Sequence, residues 1–252
     1  MIGKRLGQGK TAEVFAYGQD LALKLFYADH RDDGLREYDK AMCIQGLDLP
    51  MAKCHGLIKT DDRIGILYDR VDGISGLELL EQENGDEALI SFLAETHKTL
   101  LSCAAEGLPD YADILRKHIV RSERMTTAWK EKMLERLEGL PKGRTLCHGD
   151  LHPDNLLIKN GCARVIDFMN ISVGHPNFDM ARTAFLLKYA PFQGIRQERR
   201  DRLTAGYLQC MGIEENALTP YLQVIAAARV GEMRHAVEEQ VAAKMYLKMH
   251  GF

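Results

Sequence analysis

A change of hydrophobic period near residue 76 constrains this chain more than any other feature. Ahead of it apolar residues alternate; behind it they recur at three- and four-residue steps. Residues 12–17 (AEVFAY) and 21–27 (LALKLFY) are β-prone runs, with Gly18 and Asp20 marking a hairpin turn between them. Residues 31–45 are charged in a helical pattern that Gly46 and Pro50 end. Two more strands are expected near 53–59 and 63–70, joined by Thr60-Asp61-Asp62. Gly73 and Gly76 then loosen the chain, which divides it into 1–72 and 73–252. Helices are expected over 86–105, 111–137, 178–189, 197–210 and 219–248, with short strands and loops across 145–168 (TLCHGD, NLLIK, ARVIDF). A small β-rich lobe followed by a larger helical lobe is an α+β pattern. The cleft between two such lobes is where a ligand usually sits.

Composition narrows the function classes. The chain has 252 residues, 46% of them hydrophobic and 27% charged, an ordinary soluble globular mixture. The formal charge of -3 lacks the basic excess expected of a nucleic-acid or anionic-membrane partner. Arg196, Arg199, Arg200 and Arg202 are interleaved with Glu198 and Asp201 and read as a solvated helix face. The opening MIGKRLGQGK has no apolar stretch behind its charges, and no run of about 18 apolar residues occurs. A cytoplasmic protein without signal peptide or membrane span is therefore expected. Cys43, Cys54, Cys103, Cys147, Cys162 and Cys210 have no metal-site spacing and read as reduced thiols, Cys147 as a packed strand residue.

Chemistry-bearing residues come in a definite order. Leu6-Gly7-Gln8-Gly9-Lys10-Thr11-Ala12-Glu13-Val14 fits G-x-G-x-x-[GA]-x-V, whose glycines let backbone amides approach phosphates without a Cβ in the way. Gly9-Lys10-Thr11 also suggests G-x-x-x-x-G-K-[ST], but that pattern needs glycine where Lys4 stands. In Leu21-Ala22-Leu23-Lys24, alternation puts Ala22, Lys24 and Phe26 on one face and the leucines on the other, the expected core. Lys24 reads either as an edge residue reaching for solvent or as a holder of ATP phosphates, with Glu37 on the next helix as its partner. Cys147-His148-Gly149-Asp150-Leu151-His152-Pro153-Asp154-Asn155 fits H-x-D-x-x-x-x-N, and Val165-Ile166-Asp167-Phe168 follows. These types suit phosphoryl transfer. Asp150 accepts or orients a hydroxyl proton, Asn155 and Asp167 offer hard oxygens to Mg²⁺, and the metal with Lys24 neutralises charge on the moving group. The loop also reads as a polar turn, and His148, Asp150 and His152 as a metal cluster. The four features occurring in this order favour the transfer chemistry.

From Gly7 to about Ala184 the chain resembles the aminoglycoside phosphotransferase and choline kinase-like superfamily, on His148 through Asn155 and on Ile166-Asp167-Phe168. The resemblance implies a protein-kinase-like two-lobed fold, ATP and Mg²⁺ as cofactors, and a small-molecule hydroxyl acceptor. It implies an adenine pocket at Leu67-Tyr68-Asp69-Arg70-Val71, with the backbone of Asp69 and Val71 reading the base and Ala22 and Val14 packing on it. Gly7, Gly9, Lys24 and Glu37 belong to the phosphate side, and Asp150, His148 and Lys24 form the catalytic set. His97 looks like a helix histidine of these families and is taken as structural. Gly149 stands where the HRD triplet of protein kinases has arginine, Met169 where DFG has glycine, and no A-P-E follows. Control by activation-loop phosphorylation is not expected. In Gly174-His175-Pro176-Asn177-Phe178-Asp179, His175 departs from the Gly-Asp-Pro common in antibiotic kinases, while Asp179 keeps the second acid and is expected to brace the catalytic loop.

The expected function is ATP-dependent phosphorylation of a small molecule: an aminoglycoside-type antibiotic, a sugar or an amino alcohol. A non-catalytic nucleotide-binding module of the same fold is the rival, opposed by Asp150 and Lys24 both being present. A protein kinase is a further rival, opposed by Gly149 and Met169. The acceptor side is expected on the helices around 111–137 and 197–248. Arg229 and Glu232 interrupt an apolar stripe there and read either as pocket-lining or as exposed, and His175 as an acceptor contact or a surface loop residue.

Overall fold

The computed structural model describes all residues except Met1, Thr60, Asp61, Pro191, Gln193, 233–236 and Phe252; for 237–240 it describes the backbone alone. The chain opens with three antiparallel strands, β1 (Ile2–Gln8), β2 (Ala12–Tyr17) and β3 (Leu21–Phe26), then α1 (Arg31–Ile44), β4 (Cys54–Lys59) and β5 (Ile64–Asp69). The five strands form one sheet in the order β1-β2-β3-β5-β4. β1 was not expected. Its residues are almost all exposed and its pairing with β2 has two register shifts, so it carries no period-2 signal. Of the Thr60-Asp61-Asp62 turn, Thr60 and Asp61 lie outside the described residues.

Register explains how the sheet presents its functional face. Val14 pairs with Lys24, Ala16 with Ala22, Ala22 with Tyr68 and Lys24 with Ile66, so these side chains share one face with Phe26. α1 packs on that face at Gly34, where an added Cβ would lie 2.8 Å from the Phe26 ring. Leu23 and Leu25 are buried as expected, but the main hydrophobic cluster runs through the opposite face, by way of Phe26, Ile66 and Tyr68.

The remaining chain is mainly helical. β6 (Ile74–Ser75) leads into α2 (Gly76–Leu79), whose start is a capping box between Ser75 and Glu78. Then come α3 (Gly85–Leu101), α4 (Tyr111–Arg121) and α5 (Thr127–Glu138). The single helix expected over 111–137 is two. Ser122 turns extended at ψ 117°, and Thr126 caps α5 by accepting from the Trp129 N–H at 3.3 Å. Short strands β7 (Thr145–Cys147), β8 (Leu156–Lys159), β9 (Cys162–Val165) and β10 (Ser172–Gly174) follow, then α6 (Pro176–Tyr189), α7 (Gln197–Met211), α8 (Glu215–Glu232) and α9 (Val237–Met249). β10 pairs with β7, and β8 lies between β6 and β9. Residues 233–236, in the middle of the helix expected over 219–248, lie outside the described residues. α6 is the central helix. Phe178 to Leu187 are all buried, Asp179 and Arg182 among them, so it carries charged groups into the interior beside the 145–168 segment.

Candidate active site

Lys24 reaches from β3 to both halves of the chain. Its Nζ donates to Glu37 Oε1 and Oε2 at 2.9 and 2.8 Å and to Asp167 Oδ1 at 3.0 Å. Glu37 is fully buried on α1 and also accepts from the Tyr68 hydroxyl at 3.0 Å. Burial pushes the Lys24 pKa down, but the carboxylates of Glu37 and Asp167 more than offset this and hold it above its usual value. The ammonium is therefore a permanent charge at the junction of the two lobes. A second tie runs alongside it: Lys40 Nζ, also on α1, donates to the Met169 carbonyl at 2.6 Å.

The loop after β7 presents Asp150. Gly149 holds φ 77°, and an added Cβ would lie 2.6 Å from the Asn170 carbonyl oxygen, which accounts for glycine at this place. Asp179 on α6 fixes the loop backbone, accepting from the N–H groups of His148 and Gly149 at 2.6 and 2.8 Å. His97 Nε2 lies 3.1 Å from the same carboxylate, and His97 Nδ1 lies 2.7 Å from the Tyr207 hydroxyl. Burial alone would raise the Asp179 pKa, yet the bond to His97 and the charge around it keep it low. Asp179 thus braces the loop by direct contact, and His97 and Tyr207 brace Asp179.

Asp150 Oδ1 accepts from Arg182 Nη2 at 3.3 Å, and Oδ2 lies 3.7 Å from His152 Nε2. Burial would raise its pKa, but His152, Arg182 and Arg229 hold the carboxyl well below the usual carboxylate range. His148, assigned with Asp150 to the catalytic set, is 1% exposed, and its Nδ1 accepts from the Asp150 N–H at 3.2 Å. Its ring lies edge-on to Phe168. The side chain thus touches the loop backbone and the core.

Asn155 sits in the 3₁₀ turn Pro153–Asn155 and donates its amide to the Asp150 carbonyl at 2.9 Å, which leaves Oδ1 as its free donor atom for a cation. Its own carbonyl accepts from the Ile166 N–H at 3.1 Å, tying it to the residue before Asp167. Asp167 holds φ 66° and keeps a carboxylate that is 44% exposed. Two hard oxygens fit Mg²⁺, which takes one or two protein ligands and fills the rest with water and phosphate oxygens. Among the described residues no group of three or more His, Cys, Asp or Glu has a metal-holding arrangement, so the His148, Asp150, His152 cluster is not one.

Gly7 and Gly9 lie at the turn between β1 and β2. An added Cβ on Gly7 meets nothing within 4 Å, so packing inside the chain does not require glycine there. Val14 and Ala22 are half-buried on the Lys24 face. At the interlobe segment the Asp69 N–H is already committed to the Lys53 carbonyl at 2.9 Å, which limits base reading at this residue to its carbonyl oxygen. A cavity of about 370 Å³ is lined by Asp69, Arg70, Val71, Lys159 and Arg164 and includes none of Lys24, Asp150 or Asp167.

Arg229 is buried and Glu232 mostly covered, its side chain 17% exposed, so neither lies on a solvated face. Glu232 Oε2 accepts from Arg182 Nη1 at 3.2 Å and from Arg229 Nη1 at 2.5 Å. His175 caps α6, accepting from the Asn177 N–H at 3.3 Å, and stacks on Tyr221. Arg182, Lys40 and Tyr207 were missed by sequence reasoning, and Tyr68 was named only within the interlobe segment, without its bond to Glu37. Only Arg182 left a signal: a charge in the apolar run of α6, three residues after Asp179.

The profile of the phosphotransferase enzyme family matches residues 3–217, most of the chain. The chain belongs to that family. No curated protein matches this phosphotransferase by sequence. Its fold is similar to the streptomycin–ATP ternary complex of APH(2'')-IIa, with 16% identity, TM-score 0.59, and coverage of 99% of this chain and 91% of that one. It is also similar to the amicoumacin kinase hAmiN in complex with AMP-PNP and Ca²⁺, at 15% identity, TM-score 0.62, and coverage of 98% and 86%. The aminoglycoside phosphotransferase APH(3'')-Id from Streptomyces rimosus aligns at 16% identity, TM-score 0.61, over 89% and 92%. At these identities the likeness establishes the fold: this phosphotransferase has the kinase-like two-lobed architecture expected from its sequence.

Proposed function

We propose that this phosphotransferase moves the terminal phosphoryl group of ATP to a hydroxyl of a small molecule, with Mg²⁺ as its metal. The carrying observation is the Lys24–Asp167 contact at 3.0 Å, which brings the phosphate lysine of the β-rich lobe onto the candidate metal ligand of the helical lobe. The division between the lobes falls at 72/73, and ATP lies in the cleft between them. Gly7 and Gly9 leave room for phosphates under the β1–β2 turn, with Val14 and Ala22 against the base and the Asp69 carbonyl and Val71 along its edge. Lys24, oriented by Glu37, donates N–H to phosphate oxygens. Asn155 Oδ1 and the Asp167 carboxylate hold the metal, which supplies positive charge to the phosphate oxygens when bound.

Asp150 orients the acceptor hydroxyl. The hydroxyl oxygen forms the new P–O bond, the bond from that phosphorus to the bridging oxygen of ADP breaks, and the hydroxyl proton passes to Asp150. A base of such low proton affinity takes the proton late, after the P–O bond to the leaving group has weakened, which suits a loose transition state. The acceptor is a small molecule of the aminoglycoside, sugar or amino-alcohol kind, and the free cysteines among the described residues suit a reducing cytoplasm.

A phosphorylation screen with Mg-ATP over aminoglycosides, macrolides, choline, ethanolamine and simple sugars tests the reading. Asp150→Asn is expected to lower kcat by about 10²- to 10⁴-fold while nucleotide binding persists. Wild-type turnover in that variant would remove Asp150 from the reaction. Lys24→Ala is expected to lower kcat/KM for ATP by about tenfold or more. Unchanged nucleotide kinetics would remove the phosphate contact.

A further inference from the structure

Helix α6 grips the catalytic loop twice from one face. Asp179 takes the loop's backbone N–H groups, and Arg182, one turn on, takes the side chain of Asp150. Arg182 is only 3% exposed, in a helix whose residues from Phe178 to Leu187 are all buried, and a guanidinium in that setting is costly unless every neighbour is arranged for it. The arrangement comes from α8. Glu232 accepts from both Nη atoms of Arg182 at 3.2 Å, and Arg229, three residues earlier on the same helix, holds Glu232 in turn. Gly231 makes this approach possible, since an added Cβ would run into the His118 carbonyl of α4. Glu232 lies beyond residues 3–217, the stretch that matches the family.

We propose that Arg182 is a positioning residue for the transfer step: it pins Oδ1 of Asp150 so that Oδ2 is the oxygen presented to the acceptor hydroxyl, and Glu232 fixes Arg182 in that pose. The partition of the carboxylate supports this. Oδ1 accepts from Arg182, while the ion-pair distance recorded for Oδ2 among the described residues is the longer 3.7 Å to His152, and the side chain is 26% exposed. A carboxylate held at one oxygen by a buried fork cannot rotate freely, and a catalytic group misplaced by about 1 Å costs on the order of 10²-fold in rate.

The inference rests on Asp150 being the transfer residue, and the test separates the two. ADP release from Mg-ATP is followed with an acceptor from the screen, or with water as acceptor, in Asp150→Asn, Arg182→Met, Arg182→Lys, Glu232→Gln and the Arg182→Met/Glu232→Gln double variant. If Asp150→Asn leaves kcat unchanged, the base reading and this inference fall together. If Asp150→Asn is impaired, Arg182→Met is expected to lose about 10- to 100-fold in kcat with the ATP KM within about twofold, Arg182→Lys to recover part of the loss, and Glu232→Gln to lose about fivefold. The double variant is expected to be no worse than Arg182→Met, because Glu232 acts through Arg182. Wild-type kcat in folded Arg182→Met overturns the proposal, as do multiplicative losses in the double variant. Should Arg182→Met fail to fold, Glu232→Gln decides: a kcat loss at unchanged ATP KM supports the role, and unchanged kcat overturns it.

Discussion

Two residues of the site hold left-handed backbone, Gly149 at φ 77° and Asp167 at φ 66°, and only one of them is glycine. At Gly149 the Asn170 carbonyl fills the place of a Cβ, so Gly149→Ala is expected to destabilise the protein by about 1–3 kcal/mol, measured by chemical denaturation, and to lower turnover by displacing Asp150. At Asp167 a side chain is tolerated because Lys24 and the Met169 N–H hold it, the latter at 3.4 Å from Oδ1. The sequence showed both residues and the departure from arginine at 149, but not its cause, because the opposing carbonyl comes from a distant turn. Glu232 was visible, with Arg229, as a charge in an apolar stripe, and its pairing with Arg182 was not. Burial would raise its pKa, but Arg182 and Arg229 bring it from 4.5 down to about 2. A carboxyl depressed in the folded state stabilises above its unfolded pKa, and that stability is lost as pH falls through the folded one. Stability is therefore expected to decline between pH 4.5 and about 2, by on the order of 3 kcal/mol from this group, and Glu232→Gln to flatten that part of a Tm-against-pH curve.

Among the elements, those with a strong period were legible. α3, α6 and α7 lie close to the expected ranges, as do β2, β3 and β5. The missed strands share a physical reason: no apolar pattern marked them. β1 is exposed along almost its whole length, and β10 is three residues long. Between α4 and α5 the helical period continues through the break, and only cap chemistry marks it. Thr126→Ala removes the cap on the Trp129 N–H and is expected to cost about 1 kcal/mol in urea unfolding, with little effect on ATP binding. The corresponding change in α2, Ser75→Ala, would loosen the capping box just after the interlobe segment.

At the scale of the molecule, the two lobes meet through Lys24 and Asp167 and through Lys40 and the Met169 carbonyl. A nucleotide held by both lobes stabilises the whole chain: at one hundred times its Kd the gain is about 2.7 kcal/mol, or roughly 5–10 °C in Tm for a chain this long. A non-hydrolysable ATP analogue with Mg²⁺ is expected to give such a rise in a thermal scan, and Lys24→Ala to reduce it. The order of the motifs along the chain made the lobed architecture readable. Asp179 was expected to brace the loop from α6, but the contact of Arg182 with Glu232 between α6 and α8 was not, because it depends on which helix faces meet. That bracing has a consequence for biosynthesis. A ribosome that has reached residue 217 has already made Lys24, Asp150, Asn155 and Asp167, but not Arg229 or Glu232. On the proposed reading, the residues assigned to the phosphate donor emerge before those assigned to steady Arg182, so a nascent polypeptide lacks the proposed transfer centre until α8 has left the exit tunnel.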